Sequence, residues 1–169
     1  MCVALSSNGA SPIIEVFERS LFIFLALLSK LKIFLKAQIE VVFKEILLNI
    51  LEMPNSSVQH KWMVLVVLQK ICDDRQMLLD LYANYDCDEY MTNIFERMIH
   101  SLVRIVQNRE PAPAEIKLKA LECLGSVMTS LGEWCRPLEA EDTPENDAAD
   151  EQALCEFVYC IYCVIALAS

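Results

Sequence analysis

Glycine is scarce in this chain, with three residues in 169, and there are only six prolines. So few turn-formers argue against a β-sandwich and exclude collagen-like or low-complexity sequence. Basic residues stop early. No Lys or Arg follows Arg136, whereas eight acidic residues lie between Glu139 and Glu156. The net charge of −10 therefore comes mostly from one segment, because the preceding residues hold 16 acids against 14 bases. Without a basic excess, nucleic-acid binding is not expected. The acidic segment reads as a solvated linker.

Long apolar runs are missing too. Leu21 to Ser29 ends at Lys30, and Phe157 to Ala168 has 12 residues. A bilayer needs roughly 20, so we expect no transmembrane span and at most a peripheral association with membranes. Met1 to Ser11 is uncharged and lacks the basic, apolar and small-residue regions of a secretory leader. We therefore read the eight cysteines as free thiols in a reducing, cytoplasmic setting.

What the chain does contain is helical patterning. Apolar residues make up 55% of it, too many for a disordered chain. Six segments show helical spacing. The first runs from about Pro12 to Ser29, with Ser11 as N-cap and Pro12 at the first helical position. Its Leu21–Leu25 run is apolar on all sides and asks for more than one neighbour. The second runs from Leu31 to Glu52. Its stripe is Ile39, Val42, Phe43, Ile46, Leu47, Ile50 and Leu51, and Glu40 and Lys44 are placed to pair at i, i+4. A third is capped by Ser56 or Ser57 and reaches Cys72; its Trp62–Leu68 run reads as buried all round. A fourth covers Asp74 to Ala83. The polar break Asn84–Glu89 follows, rich in side-chain acceptors that shape loops.

The fifth helix spans Asn93 to Gln107, with Asn93 and Glu96 resembling a capping box. Its core stripe is Ile94, Phe95, Met98, Ile99, Leu102, Val103 and Val106. The sixth covers Pro113 to Trp134, with Leu121, Leu124, Met128, Leu131 and Cys135 on one face. The domain layout expected is a flexible segment 1–11, a helical domain 12–137, an acidic linker 138–152 and an apolar tail 153–169 read as a short helix. Short connections favour antiparallel neighbours. The fold class expected is all-α, an armadillo- or HEAT-like stack of antiparallel helices, with a closed six-helix bundle as the alternative.

Catalytic chemistry finds little footing. Gly125 and Gly132 lie inside a helical pattern and build no phosphate loop. His60 and His100 stand alone, one at a helix start and one on a polar face, as cap and surface residues do. Cys160-x-x-Cys163 has the spacing of a zinc half-site but no second ligand pair and no polar turn, so packed thiols are the reading and no metal is expected. Asp86 and Asp88 beside Glu89 lack the further oxygen ligands and glycine turn of a calcium loop. No cofactor is expected.

Several blocks are nonetheless distinctive. Lys36-Ala-Gln-Ile-Glu-Val-Val-Phe-Lys-Glu-Ile, His60-Lys-Trp-Met-Val, Tyr82-Ala-Asn-Tyr-Asp-Cys-Asp and Asn93-Ile-Phe-Glu-Arg occur in that order. Together they resemble the "homology upstream" (HUS) domain of the large brefeldin A-inhibited guanine-nucleotide exchange factors for Arf GTPases. Asn84, Tyr85, Asp86, Cys87 and Asp88 match that domain's signature box, and Leu121-Glu-Cys-Leu with Glu133-Trp134 fits the helix that follows. The resemblance extends from about Ile14 to Arg136. It implies an armadillo-like array and a box that takes part in docking a dimerisation domain further upstream. It also implies a whole protein that promotes GDP release from Arf at trans-Golgi membranes. Neither the upstream domain nor the catalytic exchange domain is expected in these 169 residues, so the expectation is a non-catalytic fragment, and the end 153–169 does not align. A helical-repeat scaffold with unrelated partners is the alternative.

Overall fold

The structure, a computed structural model, describes residues 11, 13–31, 34–107 and 112–134. The expected flexible segment 1–10, Pro12, Cys135, the linker 138–152 and the tail 153–169 lie outside the described residues. Within them all regular structure is helical. The elements are α1 (Ile14–Leu31), α2 (Lys36–Val42), a π-helical turn π1 (Phe43–Leu48), α3 (Asn49–Glu52), α4 (Val58–Cys72), α5 (Arg75–Leu81), a second π-helical turn π2 (Tyr82–Asp86), α6 (Ile94–Val106) and α7 (Ala114–Trp134).

Local chemistry accounts for most starts. Ser11 Oγ accepts from Ile13 N–H at 3.2 Å just ahead of α1. Ser57, not Ser56, caps α4 by accepting from Gln59 N–H, and Asp74 caps α5 by accepting from Met77 N–H. Each such cap satisfies an N–H that the helix leaves orphaned. The second expected helix is interrupted: its π turn takes one more residue per turn than an α-helix. That shift brings Leu48 into the core beside Ile46 and Leu47, so three consecutive residues are buried. Glu40 does not pair with Lys44. Its carboxylate instead accepts from the backbone N–H and the hydroxyl of Thr92.

The helices form a packed stack. α4 lies between α1 and α7, and α7 also packs on α6, which in turn meets π1 and π2. This explains why α4 buries Val64, Leu65, Val67, Leu68 and Ile71 around much of its girth. The Phe24 ring meets the Phe43 ring edge-on at 5.6 Å, tying α1 to π1. Each fully buried Leu, Ile or Phe contributes about 1.5–3 kcal/mol from water exclusion alone.

Three expectations need correcting. The apolar run of α1 is not covered all round: Phe22 and Ile23 are exposed, and the Lys70 ammonium lies 4.7 Å from the Phe22 ring centre. Trp62 of α4 is likewise exposed and shares a surface groove with Phe22 and Met63. In α7 the buried face is Ile116, Ala120, Cys123, Val127 and Leu131, whereas Leu121 and Met128 point outward. The α6 stripe is as expected except that Ile105 is buried and Val106 only partly so.

Candidate functional site

The five box residues sit where α2, π2 and α6 meet. The expected polar loop is in fact the continuation of α5, which widens into π2 through Asp86 before the chain turns at Cys87. The Cys87 N–H donates to the Tyr82 carbonyl at 3.1 Å, closing the wide turn five residues back. Asn84 folds its side-chain amide onto the Asp80 carbonyl at 2.7 Å.

Because π2 turns the chain inward, Tyr85 is buried rather than loop-borne. Its hydroxyl donates to the Lys36 carbonyl at 3.0 Å, so the phenol ties π2 to the first turn of α2. Burial, with the Glu40 charge adding to it, holds the phenol above its ordinary titration range. The Lys36 ammonium crosses the same junction, lying 5.8 Å from the Tyr85 ring centre and 2.7 Å from Asp88 Oδ2. Asp88 spends its other oxygen on Tyr90 N–H at 3.0 Å. The Lys36 hydrogen bond, followed by that N–H, holds the Asp88 carboxyl below its ordinary value.

Asp86 has the most consequential geometry. Its two oxygens accept from Phe95 N–H and Glu96 N–H, each at 2.9 Å. Those are first-turn donors of α6, so Asp86 is that helix's cap although it lies outside it. Asn93, the expected cap, makes no side-chain cap bond; its amide donates to Glu96 Oε2 instead. Asp86 also carries negative charge to the positive end of the helix dipole. Burial pushes its carboxyl up to about 6, against the pull of the two N–H groups and with Glu96 adding to the rise. The Tyr82 and Phe95 rings meet edge-on at 6.1 Å and shield the junction.

A second tie lies on the other side of α6. The Arg97 guanidinium takes both oxygens of Glu52, through Nε at 2.8 Å and Nη2 at 2.5 Å, and the Ser101 hydroxyl donates to the same carboxylate. No sequence periodicity pointed to this pair, because its members lie 45 residues apart.

Chemically, these groups bind one another. In the cleft beside the box, Lys36 is held by Asp88 and Asn84 by the Asp80 carbonyl. The box carboxylates are engaged as hydrogen-bond acceptors rather than set against a nucleophile. What the site leaves outward is Asn84, Cys87 and Glu89, with Tyr90 93% exposed next to them. His60 is a packing residue, its ring 4.7 Å from that of Phe17 and its Nε2 3.2 Å from the Ser11 carbonyl; His100 is exposed. Among the described residues, no three His, Cys, Asp or Glu side chains converge as a metal site, and no helix is long and apolar enough to cross a membrane. The Cys160–Cys163 pair lies outside the described residues.

Comparison with known proteins matches residues 1–94 to the sequence family described as Mon2/Sec7/BIG1-like, HUS domain. "Brefeldin A-inhibited guanine nucleotide-exchange protein 1" of Homo sapiens is 49% identical over 144 residues, covering 80% of this chain. "Brefeldin A-inhibited guanine nucleotide-exchange protein 3" of Arabidopsis thaliana is 39% identical over 79% of the chain. "ADP-ribosylation factor guanine nucleotide-exchange factor sec71" of Schizosaccharomyces pombe is 33% identical over 90% of the chain. The aligned part spans only 8% of the length of the first two relatives and 11% of the third.

Proposed function

This chain belongs to the Mon2/Sec7/BIG1-like HUS domain family, and from that premise we propose that it is a regulatory, non-catalytic interaction module of an Arf guanine-nucleotide exchange factor. The observation that carries this reading is the 49% identity to an exchange protein across 80% of the chain. The packing agrees with it, because the box groups are spent on bracing helices rather than on bond-making.

In this reading the box is a brace with an outward rim. Tyr85 and Asp86 set how α2, π2 and α6 meet, while Asn84, Cys87 and the neighbouring Tyr90 face a partner. Exposed tyrosine next to a rigid support is the kind of anchor that interfaces use. The partner is the dimerisation domain that precedes this region in the family. The place of action is the cytoplasmic face of trans-Golgi membranes, where the whole protein acts on Arf GTPases and supports vesicle-mediated transport.

The test is a pull-down of the 169-residue chain by the N-terminal region of the human exchange protein. Asp86→Ala should weaken capture about tenfold, the equivalent of 1.4 kcal/mol, with helix content by circular dichroism unchanged. Equal capture of variant and parent rejects box docking. GDP release from Arf driven by the isolated chain rejects the non-catalytic reading.

A further inference from the structure

Helix α7 has two apolar sides. Opposite its buried face, at steps of three, four, three and four, stand Leu118, Leu121, Gly125, Met128 and Gly132. Leu118, Leu121 and Met128 are 59%, 52% and 54% exposed, and a Cβ on either glycine would meet nothing within 4 Å. The alternation of three and four is that of a helix-packing seam, where knobs from one helix enter recesses of another. A single exposed leucine is ordinary; a strip of three large residues and two recesses in register marks an interaction face.

The chain contains a segment that fits it. Leu154, Phe157, Ile161, Val164 and Ala168 repeat the same steps of three, four, three and four. No charge occurs from Phe157 to Ala168, so this stripe has every reason to leave water. We propose that residues 153–168 dock lengthwise on the outer face of α7, with Phe157 and Val164, seven residues apart as Gly125 and Gly132 are, seated against those two glycines.

Reach permits it. Eighteen residues separate Trp134 from Ala153 and span up to about 60 Å. Helix α7, with 21 residues, is about 31 Å long. Tethering raises the effective concentration of the tail to about the millimolar range, which favours it over a second copy at micromolar protein.

Amide hydrogen exchange on the intact chain tests this. Tail amides should exchange at least about tenfold more slowly than an unstructured chain, and Leu121→Glu with Met128→Glu should return them to the unstructured rate. These two side chains are exposed, so α4 amides should keep their protection. The reciprocal variant, Phe157→Glu with Ile161→Glu, should likewise free the tail and shift the Met128 methyl resonance. The proposal fails if the parent tail is unprotected, or if its protection survives both variants. It also fails if light scattering shows a dimer whose dissociation exposes the tail, or if protection appears only on adding phosphatidylcholine vesicles.

Discussion

The Asp86 carboxylate receives the backbone N–H of Phe95 at 2.9 Å from nine residues earlier in the chain. With Glu96 N–H on its other oxygen, one side chain at the end of π2 closes the start of α6. The angle at which the chain re-enters the stack is thus set by a helix cap supplied from the preceding turn.

Removing that cap should cost stability where removing the local one should not. Asp86→Ala orphans two first-turn N–H groups and should destabilise the chain by about 1–2 kcal/mol. Asn93→Ala touches no cap bond and should stay within about 0.5 kcal/mol. Urea unfolding of the two variants decides between them; equal losses would return the cap to Asn93.

Asp86 should also titrate high. Its carboxyl stands at about 6 in the folded chain against 3.8 as the ordinary value. Between these pH values the folded state holds a proton that the unfolded chain has released. Its contribution therefore favours folding below about pH 4 and declines as pH rises to 6. A carboxyl carbon-13 titration with a midpoint near 4 would contradict the burial that causes the shift.

The Glu52–Arg97 pair should behave in the opposite sense. The Arg97 hydrogen bond, outweighing burial, lowers the Glu52 carboxyl below its ordinary 4.5. Its stabilisation is present above that value and is lost as pH falls through the folded-state midpoint. Arg97→Met should abolish this acid-side dependence, and a double-mutant cycle with Glu52→Gln should give a coupling of about 1 kcal/mol at pH 7. A coupling near zero would make the contact incidental.

Thiol reactivity should follow burial. Cys87 is exposed, whereas Cys72 and Cys123 are buried. Burial raises the Cys123 thiol to about 12 and lifts Cys72 well above its ordinary range. A maleimide should label Cys87 within minutes under native conditions and reach the other two only on unfolding. Fast native labelling of Cys123 would show that α7 opens from α4.

Much of the helical scaffold was legible from side chains alone. The α6 stripe from Ile94 to Val103 repeats at helical spacing and is buried as expected, and Ser57 and Asp74 announce the helices they cap. These are local signals, each settled within a turn or two. The box residues were legible as a cluster through resemblance, but their arrangement was not.

Apolar periodicity and short-range capping, carried within the sequence, determined that this chain is helical and roughly where its helices begin. Only the tertiary structure decided that the helix continues through Tyr82–Asp86, that Tyr85 turns inward to Lys36, and that Ile116 and Val127 rather than Leu121 and Met128 are buried on α7. Helix α7 carries apolar residues on both faces, so its period fits either face against α4. Asp86 and Lys36 find their partners only after the chain has reversed, where packing brings together residues that no local pattern relates.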